Sequence, residues 1–141
     1  MDARLERFLN HFNELDRDSI NVVGLMYAED VSFQDPLHEI QGLPHLKKYF
    51  ARLYKHTESC RFEWDSRLML GNEAMIAWRM QLKHRFLNGG KAFSVPGATL
   101  LRFQTQGDIV IYQRDYFAVR AMLYERMPVL GTLIRTVKSQ V

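Results

Sequence analysis

Asp35 stands immediately before Pro36, at the end of the run Val31-Ser32-Phe33-Gln34. A residue before proline is pushed toward an extended backbone, and a strand end is where a side chain can be aimed into a cavity. A carboxylate so aimed is either a general base or half of a buried ion pair. Asp-Pro is also a common turn opener, which would leave Asp35 an ordinary turn residue. The second charged candidate is Arg114, in IVIYQRDYF, where alternation groups Tyr112, Arg114 and Tyr116 on one face. An arginine projecting into an apolar cavity needs a counter-charge, and Asp35 is the nearest obvious one. Pairing would lower the pKa of Asp35 and make it a poorer base near neutrality. The same pair could bind a substrate carboxylate or position a water. The opposite strand parity would send Asp115 inward and Arg114 to solvent.

His11 lies at the edge of an apolar stripe, close in angle to Phe8 and Leu15. His38, three residues past Asp35, sits on a loop that would rim a pocket mouth or simply face solvent. His45, His56 and His84 read as helix-surface, helix-end and strand-end residues. There is no HExxH, helical His-carboxylate pair or Cys/His cluster, and no GxGxxG or P-loop, so neither a metal nor another cofactor is expected. Cys60 is the single cysteine and has no partner for an internal disulfide.

The elements that must position these groups follow from periodicity. Leu5, Phe8, Leu9, Phe12 and Leu15 predict an amphipathic helix over 2–16. Ser19 is a plausible N-cap for a second helix, INVVGLMYA, and Val31–Gln34 reads as a short strand. Gly42, Leu43 and Pro44 announce a third helix with Leu46, Tyr49, Phe50, Leu53 and Tyr54 as its apolar face. From Cys60 the period becomes two. Phe62, Trp64, Ser66 and Leu68 share one face of the first long strand, and Ile76, Trp78, Met80 and Leu82 one face of the next. Asn88-Gly89-Gly90 predicts a hairpin. KAFSVPGATLLRF is then a strand in which Pro96-Gly97 suggests a bulge or bend, and DIVIYQRDYF is the last. Three helices with one short strand, then four long antiparallel strands, predict an α+β domain with helices on one face of a curved sheet. From Ala118 an amphipathic helical stripe returns, interrupted at Pro128. The domain is therefore expected over 1–118, with a helical extension over 119–141.

With 141 residues, 47% of them hydrophobic and 25% charged, the chain suits one globular domain. Residues 1–40 hold nine acidic and three basic residues, and the rest seven and sixteen, a dipolar pattern that packed, oppositely charged faces would explain. No basic stripe interleaved with aromatics points to nucleic acid. The N-terminus has no apolar stretch of the signal type and no segment is long and apolar enough to span a bilayer, so a cytoplasmic protein is expected.

The stretch MYAEDVSFQDP, followed by a glycine and the Leu46–Leu53 helix, resembles the NTF2-like superfamily, in particular its SnoaL-like branch and the ketosteroid isomerases. LRF at Leu101–Phe103 and a final strand ending in Tyr116-Phe117 extend the resemblance over about residues 3–118. It implies a cone: a bent antiparallel sheet wrapped around a pocket that the three N-terminal helices close. That fold hosts isomerases, cyclases, hydratases, epoxide hydrolases and non-catalytic binders. Residue by residue, Asp35 falls on the general base of the isomerases, His11 on the oxyanion-hole tyrosine, Thr99 on the protonated aspartate of that hole, and Phe50 on another tyrosine of the third helix. The face of Tyr112, Arg114 and Tyr116 is the one those isomerases turn to the ligand. The base is kept and the oxyanion hole is not, which argues against steroid isomerisation itself.

The resemblance implies a protein that binds a small apolar molecule and is a homodimer. Asp35 would be proton acceptor and His11 and Arg114 its polar partners, with Phe33, Phe50, Trp64, Trp78, Met80, Thr99, Leu101, Tyr112, Tyr116 and His38 about the ligand. The alternative is a non-catalytic binding module in which Asp35 and Arg114 form a structural ion pair. The C-terminal segment would pack on its own domain or on a partner rather than on a membrane surface.

Overall fold

The computed structural model describes residues 2–119; the helical extension expected at 119–141 lies outside them except for Val119. Helix α1 (Ala3–Glu14) starts where the Asp2 carboxylate accepts the backbone N–H groups of Arg4 and Leu5, two of the donors that any helix start leaves without partners. Its buried face is the expected stripe, Leu5, Phe8, Leu9 and Phe12. The second helix is shorter than the periodicity predicts. Ile20–Val22 is one 3-10 turn and α2 is confined to Val23–Met26. Ser19 caps neither, and its hydroxyl donates to the Glu14 carbonyl at 2.7 Å.

Six strands follow: β1 (Tyr27–Gln34), β2 (Glu39–Gln41), then, after helix α3 (Leu43–Tyr54), β3 (Thr57–Leu70), β4 (Glu73–His84), β5 (Phe93–Phe103) and β6 (Val110–Phe117). They form one curved, unclosed sheet in the order β2-β1-β6-β5-β4-β3. All neighbours are antiparallel except β1 and β6, which run parallel. The first strand is therefore twice as long as the four residues that alternate in the sequence. Between Tyr27 and Ser32 its register against β6 shifts. Glu29 and Asp30 face solvent there, between buried Ala28 and Val31, and this irregularity hides the strand from a period-two reading. Strand β2, absent from the sequence pattern, folds back on β1 after Pro36.

The hairpin of β3 and β4 corrects another expectation. Trp64 faces Trp78 and Ser66 faces Ala77, so Asp65 is an extra residue in β3 and every side chain beyond it changes face. Arg67 and Met69 turn inward, where Arg67 pairs with Glu6 of α1, and Leu68 and Leu70 stand outside at 73% and 87% exposure. On the inner face, Asn13 of α1 donates to the Phe62 carbonyl at 3.1 Å and accepts its N–H at 2.9 Å, which fixes the helix along β3. Pro96 and Gly97 lie in step opposite Arg79 and Trp78 with no bulge between β4 and β5. Gly97 is there because the Trp78 indole covers it: a Cβ would sit 2.2 Å from the indole ring. The Asn88-Gly89-Gly90 signal marks the β4–β5 connection, with a left-handed backbone at all three residues, though in a 3-10 turn rather than a two-residue hairpin.

One aromatic core fills the space between helices and sheet. Phe12 meets Phe50, Phe62 and Trp64 edge-on, Phe62 stacks on Trp64 at 5.1 Å, and Phe8 packs on Tyr27 and Phe103. Such pairs stabilise beyond their buried area, and here they occupy most of the cone. No described helix is long and apolar enough to cross a membrane.

Candidate functional site

Two aspartates come together where the parallel strands β1 and β6 end. Asp35 is buried and held on every side. Its Oδ1 accepts the Leu37 N–H at 2.8 Å, an Asx turn made available by Pro36, and the His38 Nδ1 at 2.8 Å. Its Oδ2 accepts the Tyr49 hydroxyl from α3 at 2.6 Å. Burial alone would raise the Asp35 carboxyl; the hydrogen bonds from His38 and Tyr49 outweigh it and hold the group below its ordinary value. Burial, with the charge of Asp35 beside it, pushes the Tyr49 phenol well up. Asp35 is thus a fixed anion whose oxygens are both occupied.

Asp115 is the opposite case. Strand β6 takes the parity that turns Gln113 and Asp115 inward. Gln113 is fully buried, its Oε1 accepts the Tyr27 hydroxyl at 2.5 Å, and its Nε2 donates to Asp115 Oδ1 at 2.9 Å. Thr99, the cross-strand partner of Asp115, donates its hydroxyl to the same Oδ1 at 2.7 Å and accepts the Trp78 indole N–H at 2.8 Å. Among the described residues no donor reaches Oδ2. Burial raises the Asp115 carboxyl, the Thr99 and Gln113 hydrogen bonds offset part of that, and the negative charge of Asp35 adds to it, leaving a pKa of about 6. Two carboxylates with values pushed apart are the arrangement from which acid and base roles arise.

Asp115 also borders two spaces. Inside, Phe8, Phe12, Trp64 and Trp78 enclose with Thr99, Gln113 and Asp115 a cavity of about 10 Å³, room for one water. Outside, an open hollow of about 540 Å³ is walled by Gln34, Asp35, Pro36, Arg114, Asp115, Tyr116 and Phe117.

The residues expected at the site divide accordingly. Asp35, Arg114 and Tyr116 border the hollow, whereas Thr99, Trp64 and Trp78 border the inner cavity. The ion pair expected between Asp35 and Arg114 is not formed: the guanidinium lies over the Tyr116 ring at 4.9 Å, and Asp35 is held instead by hydrogen bonds from Leu37, His38 and Tyr49. Tyr112 lines neither of these two spaces and carries Arg102 on its ring at 5.3 Å. His11 lines neither space. It stays on the helix edge, its Nδ1 3.4 Å from Glu14, because the buried stripe of α1 is completed without it. His38 is not a solvated rim residue, since its ring packs on Tyr49 and its Nδ1 is committed to Asp35. Phe33, Phe50 and Leu101 belong to the core, and Met80 packs against it part-buried. Tyr49 and Gln113 were missed. Tyr49 reads as one more apolar position of α3, and Gln113 as one more polar position of β6.

Residues 5–112 match the family model described as the SnoaL-like domain. Among solved structures, a protein of ketosteroid isomerase-like fold from Catenulispora acidiphila, in complex with trimethylamine, is 21% identical over 76% of this chain and 81% of its own, with a TM-score of 0.66. An NTF2-like protein of unknown function from Burkholderia pseudomallei is 14% identical over 84% and 90%, with a TM-score of 0.70. A Jannaschia protein assigned as a SnoaL-like polyketide cyclase is 14% identical over 72% and 74%, with a TM-score of 0.61. At these identities the likeness is one of fold. Comparison with curated proteins gave no match.

Proposed function

This chain belongs to the SnoaL-like domain family, and from that premise we propose that it binds a small carbonyl-bearing molecule in the hollow at the ends of β1 and β6 and moves a proton on it through Asp115. The observation that carries the reading is the asymmetry of Asp115: among the described residues Oδ1 is held by two donors and Oδ2 by none, and burial raises the group to about 6. A carboxyl half-ionised close to neutrality can accept a proton from carbon beside a carbonyl and return it elsewhere. Asp35, the expected base, serves in this reading as the fixed charge that adds to the burial keeping Asp115 high. Its own low value and saturated oxygens suit it poorly to exchange protons. Pro36, Tyr116 and Phe117 supply apolar walls, and Arg114 a cation on the rim, in keeping with an apolar ligand that carries one polar function. The Arg114 guanidinium is directed to Tyr116 rather than to Asp35, which speaks against the structural ion pair of the non-catalytic alternative.

The test is deuterium exchange in D2O, followed by NMR, on cyclic ketones and β-keto esters. Wild type is expected to exchange a carbon-bound proton with a rate that rises through pH 6, and Asp115→Asn to lose about 10²- to 10⁴-fold. Should Asp115→Asn exchange as wild type does while Asp35→Asn fails, Asp35 is the base and this assignment is wrong. Mass spectrometry of compounds that co-purify with the protein would name the ligand. The same reading has the protein work as a homodimer through the outer sheet face, where Leu68, Met75 and Leu100 form a cross-strand apolar row. Light scattering measures that directly.

A further inference from the structure

The two arms behind Asp115 have their directions set from behind, one by an indole that can only give and the other by a phenol that keeps its proton. The Trp78 indole nitrogen donates and never accepts, so in its contact with Thr99 the hydroxyl oxygen must receive. The Thr99 proton is thereby sent to Asp115. The Tyr27 hydroxyl, buried and with its phenol raised well above its ordinary value by burial and by Asp115, stays protonated. It donates to the Gln113 carbonyl oxygen and so turns the amide N–H to Asp115. Both arms converge on Oδ1, and among the described residues no donor meets the other oxygen of the same carboxyl.

We infer that Trp78, Thr99, Tyr27 and Gln113 are positioning residues that make the two oxygens of Asp115 unequal, so that Oδ1 is a permanent acceptor and Oδ2 alone exchanges the proton. This rests on Asp115 being the proton-transfer group. Its consequence is stereochemical: substrate can meet Asp115 in one approach only, toward Oδ2, and a carboxyl free to rotate would lose that restriction. It also bears on the pH at which the group works. Hydrogen bonds to the charged form favour ionisation, so the two arms pull Asp115 down toward neutrality against burial and Asp35. Among the described residues, the other charged or titratable groups around it are Arg114 on the rim and the Tyr49 and Tyr54 phenols, with His38 behind Asp35. None of these touches Oδ1, so loss of the Thr99 hydroxyl isolates one arm.

The experiment is a carbon-detected NMR titration of the Asp115 carboxyl in the ligand-free protein, for wild type, Thr99→Val, Thr99→Ser, Trp78→Phe and Tyr27→Phe. Thr99→Val is near-isosteric and is expected to raise the midpoint by about one pH unit, the worth of one hydrogen bond to a charged acceptor. Thr99→Ser restores the donor and should return it toward the wild-type value. Trp78→Phe and Tyr27→Phe are expected to shift it upward by less, since each releases the direction of an arm while keeping the arm. If Thr99→Val and Thr99→Ser titrate alike, the arms do not hold Oδ1 and the inference is overturned. Should Thr99→Val fail to fold, the two aromatic variants decide, an unchanged midpoint in both counting against it. Neutron diffraction below pH 5 reads the same point without mutation: a deuteron on Oδ2 is expected, and one on Oδ1 contradicts the assignment. Because no substrate is present, these results are separate from turnover. Shifts as expected with Asp115→Asn fully active would defeat the functional reading and leave the positioning network standing.

Discussion

The Tyr49 hydroxyl meets Asp35 Oδ2 at 2.6 Å, so a side chain on the apolar face of α3 joins His38 and the Leu37 N–H in keeping a charge buried beside the sheet. Removing the hydroxyl leaves that charge short of one donor. Tyr49→Phe is expected to lose about 2 kcal/mol of stability at pH 7 by urea unfolding. The folded pKa of Asp35 is depressed, so its contribution is full above the unfolded value of about 3.9 and is lost as pH falls through the folded value. The difference between variant and wild type should therefore shrink at low pH. A gap of the same size at pH 7 and pH 3 would contradict the assignment.

Asp115 gives the opposite sign. Its folded value of about 6 lies above the unfolded value of about 3.9, so the folded state binds more protons between the two. Stability contributed by this group falls as pH rises from about 4 to about 6 and is level beyond. Asp115→Asn keeps an acceptor for Thr99 and Gln113 and removes the repulsion from Asp35. It should raise stability at pH 8 by roughly 2 kcal/mol, with allowance for the group's partial exposure, and change little at pH 4. Thermal melts at the two pH values read this, and a variant less stable than wild type at pH 8 would refute it.

The extra residue at Asp65 makes neighbouring positions unequal. Leu70→Lys replaces a side chain that is 87% exposed and should stay within about 0.5 kcal/mol of wild type. Met69 packs on the core, and Met69→Lys should cost 2 kcal/mol or more, on the order expected for an unpaired buried charge. Equal melting temperatures for the two variants would place the face change elsewhere.

Gly97→Ala is expected to cost about 3 kcal/mol, because the new methyl lands on the Trp78 ring 2.2 Å from a ring carbon and a packed interior yields little to added volume. Trp78 must then move from Thr99, so tryptophan emission should shift along with stability. A normal melt with unshifted emission would show that the indole has room to retreat.

Much of the fold was readable because apolar spacing reports burial directly. The stripe of α1, the inward set Ile76, Trp78 and Leu82 of β4 and the face of α3 lie where spacing puts them, except that Leu53 of α3 is exposed. What escaped was polar. In β6 the inner positions are Gln113 and Asp115, satisfied by hydrogen bonds rather than by apolar contact, whereas the tyrosines lie outside beneath arginines. Hydropathy therefore assigns the face backwards. The bulges at Glu29-Asp30 and Asp65 break the period on which any strand reading depends, and β2 is too short to have one. Asp35 was legible as a buried acid because Pro36 marks its place, but its partners are drawn from a helix face and a loop that carry no local sign of it.

The parallel pairing of β1 with β6 joins residues far apart along the chain; Tyr27 and Gln113 are separated by 86 positions. Closing so long a loop is entropically costly and slow. During synthesis the N-terminal strand leaves the ribosome long before its partner exists, and Val31 and Phe33 wait without the strand that completes the sheet beside them. Asp35 and Asp115 can meet only once β6 has been made, so a chain that stops short of β6 carries helices, the strands β1 to β5 and no site at all.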